Sequence, residues 1–250
     1  IVNQKTDFID YKIIPFALSD STKKIALNLC RKPQVSSLYK PNAQFLNRFP
    51  DASRFDVLEK LDFNCVTLDS INVGELDFLK IDIQGAENDV LRGADSSLEL
   101  VLGLELEVEF VELYINQPLF GDVCKQLSLK GFEFIDFVNL ERWERHKHSG
   151  YGQCNFGDAL FLKTPEYLET QALGIDKWST YIAILMIYRR FDLVQVCLDS
   201  LSEEERIQFH QFEQAFQRVK SRGTVVKNIA SVMNRLIGFF GSNYRIHLIQ

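Results

Sequence analysis

Residues 76–93 (LDFLKIDIQGAENDVLRG) constrain this chain more than any other stretch, because an apolar run there turns through charged residues directly into a helical pattern. Residues 78–83 are rich in bulky apolar side chains, as a buried strand is. Lys80 and Asp82 stand two apart, so in an extended chain they point to one side. Gly85 permits a tight turn, and residues 86–92 carry Ala86, Val90 and Leu91 on one helical flank. A carboxylate at the C-terminal end of a strand, just before a helix N-terminus, is where open α/β sheets bind ligands. The pattern predicts an α/β fold with Asp82 at its ligand-binding edge.

The rest of the composition is that of an ordinary globular chain. Its 250 residues, 46% of them apolar, suffice for one large domain or two modest ones. No apolar run is long enough to span a bilayer, and the longest, residues 181–188, reads as a buried helix. The five cysteines (Cys30, Cys65, Cys124, Cys154 and Cys197) are odd in number, scattered and without CxxC spacing. They predict small apolar roles in a reducing compartment, hence a cytoplasmic location, with neither disulfides nor a metal site. The net charge of −6 is uneven: residues 214–250 hold six basic residues and no acidic one, leaving −12 for residues 1–213. No nucleic-acid partner is expected. The basic, apolar-striped stretch 218–245 is a candidate for contact with an anionic membrane surface, although packing on neighbouring helices is the preferred expectation.

Taken in order, residues 11–18 read as a strand interrupted by Pro15, and residues 24–29 alternate as a short antiparallel strand does. Residues 31–50 lose periodicity and gain Pro33, Ser36, Ser37, Pro41 and Asn42; this long loop, with a short helix near 43–48, is a candidate substrate loop. Residues 63–68 and 98–109 read as strands. In the latter, Glu105, Glu107 and Glu109 share one face and Leu104, Leu106 and Val108 the other. If that strand lies parallel to 78–83 with C-terminal ends level, Lys80 falls beside Glu105 and Asp82 beside Glu107. An amphipathic helix over 120–130 follows, then two strands, 132–138 and 158–162, joined as a hairpin with an enlarged tip that holds His146 and His148. Beyond Pro165 every periodic segment reads as helix (166–173, 177–189, 193–201, 203–221 and 225–239), and Ser202 with Glu205 forms a capping box. The predicted organisation is an α/β domain over 1–164 and an all-helical C-terminal domain over 165–250.

At this point a family resemblance can be stated. Ala17-Leu-Ser-Asp20, Ser36-Ser-Leu38 with Pro41-Asn42, Thr67-Leu-Asp69 and Lys80-Ile-Asp-Ile-Gln-Gly-Ala-Glu87 occur in one order, followed by Leu106-Glu-Val-Glu109 with Tyr114 and Gln117, Lys130-Gly-Phe132 and Gly157-Asp-Ala-Leu-Phe161. In this series the chain resembles the FkbM-type S-adenosylmethionine-dependent methyltransferases. The resemblance implies a class I methyltransferase (Rossmann-like) sheet with an antiparallel last strand. It also implies S-adenosyl-L-methionine as cofactor and O-methylation of a hydroxyl on a sugar, glycan or polyketide-like acceptor. Two departures stand out. Residues 1–75 hold no GxGxxG, so the glycine-rich cofactor strand is expected upstream of Ile1, and Gln84 stands where the family pattern carries Glu.

The resulting expectations are specific. Asp82 is the leading candidate for the group beside the transfer site, as general base or as holder of the acceptor hydroxyl; Glu107 comes second, and His146 is a reserve base. By the resemblance, Ala17, Leu18, Ser19, Asp20 and Asp82 border the cofactor, and Ser36, Ser37, Gln84 and Tyr114 the substrate. The rival reading is a cofactor-deficient, methyltransferase-like protein that acts as an interaction module through its helical C-terminal domain.

Overall fold

In a computed structural model of the chain, residues 13–146, 150–171, 173–221 and 246–249 are described. The chain divides into two compact units, one of residues 17–172 with 245–250 and the other of 1–16 with 173–244. The expected helix over 225–239, His148 and most of the basic stretch 218–245 lie outside the described residues.

The first unit contains two sheets. In the smaller, β1 (Ala17–Leu18) runs parallel to β3 (Val57–Val66), which pairs antiparallel with β2 (Lys23–Cys30). Of the strand expected over 11–18, residues 11 and 12 lie outside the described residues, and among residues 13–18 pairing begins at Ala17, past Pro15, which has no N–H for a ladder. Between β2 and β3, as the loss of periodicity predicts, the chain forms turns and one short helix, α1 (Ala43–Leu46), whose N-cap Asn42 accepts from the Phe45 N–H.

The larger sheet positions the candidate site. Its strands are β4 (Phe78–Ile81), β5 (Gly103–Glu109), β6 (Phe132–Trp143), β7 (Gln153–Lys163) and β8 (Ile246–Ile249), in the spatial order β6-β7-β5-β4-β8. β4 is parallel to both β5 and β8, and β7 is antiparallel to β5 and β6. The expected hairpin over 132–162 is β6 and β7, longer than read from sequence. The strand β8 arises in a region that reads as helical throughout. Lys80 pairs in register with Glu105, as the parallel alignment of the two strands predicts.

Alternation along β5 divides its side chains. Leu104, Leu106 and Val108 face α2 (Glu87–Arg92) and α4 (Phe120–Ser128), and form with Leu79, Ile81, Val90, Leu127 and Phe161 a buried core. Each such side chain contributes about 1.5–3 kcal/mol on burial. The first half of the run 98–109 is not strand. It forms α3 (Ser97–Leu100), and β5 begins at Gly103, where a Cβ would come 2.6 Å from Leu162 and 3.1 Å from Phe78. A second aromatic core gathers Phe45, Phe49, Phe55 and Tyr114, with Trp143 and Phe156 packed against it.

The unit closes with α5 (Pro165–Glu169), capped by Thr164. The other unit contains α6 (Ile175–Ile187), α7 (Phe191–Ser200) and α8 (Glu203–Ser221). The Ser202–Glu205 capping box is formed in both directions: the Ser202 N–H donates to the Glu205 carboxylate at 2.9 Å, and the Glu205 N–H donates to Ser202 Oγ at 3.3 Å. The helical run starts at Pro165, and α5 belongs to the first compact unit, which extends to residue 172. Among the described residues no helix is long and apolar enough to cross a membrane.

Candidate active site

The face of the larger sheet opposite α2 and α4 carries charge. Lys80 and Glu105 form an ion pair across β4 and β5, and Glu107 stands in register with Asp158 of β7. Glu105 holds the Lys80 ammonium above its ordinary range, against a burial that pulls it down. Breaking one partner of such an enclosed pair costs about 3–5 kcal/mol, so Lys80 and Glu105 are structural.

Asp82 follows β4 and opens the turn into α2. That turn takes two left-handed residues in succession, Gln84 at φ 58° and Gly85 at φ 91°. Glycine carries the second without cost, and a Cβ there would crowd Tyr114 and Gln117 at 3.3 Å. Glutamine in the first is strained, and its surroundings hold it. The Gln84 amide Nε2 donates to Asp82 Oδ1 at 3.0 Å and to Glu107 Oε1 at 2.9 Å. Its Oε1 accepts from the Tyr114 hydroxyl at 3.3 Å, and its backbone carbonyl accepts from Ser37 Oγ at 2.6 Å. The Ile83 N–H donates to Glu87 Oε1 at 2.8 Å, which ties the far side of the turn to the first residue of α2.

Of the three carboxyl groups behind this turn, Glu87 and Glu109 are buried and Glu107 is partly so. Burial, then the charges of Asp82, Glu87 and Asp158, push Glu107 up to about 9, while the Gln84 hydrogen bond opposes the shift. Glu87 rises to about 7, chiefly by burial, against the backbone N–H groups it accepts. Glu109 stands well above the usual carboxylate range for the same first reason, with the charges of Glu87 and Glu107 adding to it. Burial also raises Asp158, despite Lys80 nearby. Around neutral pH, then, Glu107 carries its proton. Among the described residues the Asp158 carboxyl group makes no side-chain hydrogen bond or ion pair, and Asp82 has one oxygen engaged by Gln84. Such a corner can accept a proton from, or orient, a polar group placed beside Asp82.

The expected site residues separate into three groups. Asp82, Glu107, Gln84 and Tyr114 come together, but Gln84 and Tyr114 spend their polar atoms on the protein: the Tyr114 hydroxyl also donates to the Val35 carbonyl at 3.0 Å. Ser37 is likewise enclosed and braces the turn, and Ser36 Oγ accepts from the Cys30 N–H within its own loop. These four act on the shape of the site. Ala17, Leu18, Ser19 and Asp20 lie at the opposite end of α2. The Ser19 carbonyl would be 2.1 Å from a Cβ on Gly93, and Asp20 bonds Lys23 and Ser21. His146 is exposed on the hairpin tip, beyond a point roughly 17 Å along the strand from Asp158. The structure does not bring it to Asp82. Asp158 is the residue that sequence reasoning missed; its alternation with Leu160 and Leu162 on β7 was the available signal.

Comparison with known proteins gives one match. The family model for the methyltransferase FkbM domain matches residues 6–134, about half of the chain. No curated protein and no solved structure matches it.

Proposed function

Because this chain belongs to the FkbM methyltransferase family, we propose that its α/β unit serves S-adenosylmethionine-dependent O-methyl transfer to a hydroxyl of a sugar, glycan or polyketide-like acceptor. The observation that carries the reading is the Gln84 fork, which holds Asp82 and Glu107 together at the C-terminal ends of neighbouring strands. When bound, the cofactor supplies an electrophilic methyl group that needs no further activation. What remains for the protein is to align the acceptor oxygen and remove its proton.

The two carboxyl groups divide that work. Glu107, pushed up to about 9, is protonated at neutral pH and does not compete for the acceptor's proton. Asp82 is the base or the acceptor-holding group, with its free oxygen as the one that meets the hydroxyl. The donor set also suits the cofactor: the Asp82 carboxylate, with Asp158 across the strand pair from the neutral Glu107, supplies negative potential where a sulfonium would be favoured. α2, six residues and about 9 Å of rise, lies between the turn that follows Asp82 and the Ser19 end of β1, the scale of a nucleoside joined to an amino acid. Five free cysteines suit a reducing, cytoplasmic setting.

The test is a methyl-transfer screen against sugar and lipid-linked hydroxyls with labelled S-adenosylmethionine, run on wild type and Asp82→Asn. Turnover should fall by about 10²–10⁴ in the variant, with cofactor binding largely kept. Unchanged turnover in Asp82→Asn would remove Asp82 from the mechanism, and no methyl transfer to any acceptor by the full-length protein would overturn the reading itself.

A further inference from the structure

A second charged feature of the α/β unit lies outside the carboxylate corner. Arg48 follows α1, Arg54 precedes β3, and Arg145 follows β6. The guanidinium carbon of Arg54 stands 4.6 Å from the Trp143 ring centroid, that of Arg145 is 5.8 Å from Phe49, and that of Arg48 is 5.1 Å from Phe45. Phe45 and Phe49 are 5.3 Å apart and Phe49 and Trp143 5.5 Å, so the three arginines surround one aromatic floor. None of them makes an ion pair with a described residue, and the Arg54 Nε is enclosed with no acceptor. Rings, not carboxylates, hold these side chains.

A guanidinium stacked on a ring uses its face and leaves its in-plane N–H groups to bind an oxyanion bidentately. Three such cations share an apolar floor with no ion-paired carboxylate among the described residues, and an anion of more than one charge would relieve their mutual repulsion. The floor also reaches the corner described above: Phe55, under Arg54, packs on the Tyr114 ring at 6.1 Å, and the Tyr114 hydroxyl donates to Gln84.

We propose that Arg48, Arg54 and Arg145 form the subsite for a phosphate or pyrophosphate ester on the acceptor, so that the methylated hydroxyl belongs to a phosphorylated molecule. This rests on the methyltransferase reading for the word acceptor, whereas the anion site itself stands on the arginines alone. The corner and the rim then take opposite ends of one substrate, the carboxylates a hydroxyl and the arginines a phosphoryl group.

The test is calorimetric titration of the full chain with inorganic pyrophosphate at fixed moderate salt, with no turnover required. Wild type should show saturable binding, and Arg48→Gln combined with Arg145→Gln should weaken it at least about tenfold through loss of charge-assisted hydrogen bonds. Both side chains are exposed, so the far-ultraviolet spectrum should be unchanged; a Lys24→Gln and Lys60→Gln pair on the β2–β3 ribbon should bind as wild type does. No saturable binding, or equal binding by both double variants, would overturn the proposal. So would a loss confined to phosphatidylglycerol vesicles or oligouridylate with no pyrophosphate binding, which would assign the arginines to a macromolecular anion. Pyrophosphate binding without any methyl transfer would uphold the anion site and count against the enzymatic reading instead.

Discussion

Gln84 is the residue on which the site depends. Its amide is the only chemistry at that position that donates to two carboxyl groups while its carbonyl accepts from a phenol, and it does so from a left-handed backbone. The Glu of the family pattern has the same shape and no donor. In Gln84→Glu two hydrogen bonds would be replaced by a third carboxyl group against Asp82 and Glu107. We expect a loss of about 1–3 kcal/mol in urea unfolding, the cost of leaving enclosed polar groups unmatched, together with a methyl-transfer pH profile displaced to higher pH. A profile and stability equal to wild type would show that the fork is incidental. The sequence marked Gln84 as a departure and as a substrate contact. It could not show that the amide is fully spent inside the protein, because the partners, Glu107 and Tyr114, lie 23 and 30 residues away.

At the scale of elements, α2 is fixed at both ends. The turn of Gln84 and Gly85 sets its start, and at its end Gly93 sits against the Ser19 carbonyl so closely that a Cβ would meet it at 2.1 Å. Neither backbone can give without moving β1 away from the helix. Gly93→Ala is expected to destabilise by about 1–3 kcal/mol, as overpacking does, whereas Gly121→Ala in α4, where a Cβ would meet nothing within 4 Å, should be neutral or stabilising by up to about 1 kcal/mol. Equal unfolding midpoints for the two variants would contradict this. Strong periodicity made α2, α4, α8 and the β6–β7 hairpin legible beforehand. The split of 98–109 into α3 and β5 was hidden because its mostly apolar first half, 98–104, fits either element, and the close approach to Leu162 and Phe78 that only Gly103 permits is a tertiary fact. Among residues 13–18 only Ala17 and Leu18 are strand, beyond Pro15, which cannot donate to a ladder.

Across the molecule, the buried carboxyl groups make stability depend on pH. Glu107 and Glu87 have folded-state values of about 9 and about 7, both above the usual carboxylate value of 4.5. The folded chain therefore binds more protons than the unfolded one between these limits, and stability falls as pH rises there. The contribution of these groups is fully present below about pH 4.5 and is lost as pH climbs through 7 and then 9. Thermal unfolding midpoints should decline from pH 5 to pH 9, and Glu107→Gln should flatten the upper part of that decline. A midpoint that rises over this range would refute the buried, protonated state of Glu107.

The sequence by itself determined the α/β character of the first unit, the register of Lys80 against Glu105, and Asp82 as the group at the end of a strand. Each follows from short-range periodicity: alternation in a strand and a three-to-four residue repeat in a helix fix which side chains share a face. Tertiary structure alone decided that β8 pairs with β4, that Gln84 and Tyr114 hydrogen-bond each other and the corner, and that Asp158 stands opposite Glu107. It also set Ser19 and Asp20 at the far end of α2 and gathered three arginines on one aromatic floor. These depend on which distant segments meet, and on the low dielectric their meeting creates, which the order of residues along a chain does not express.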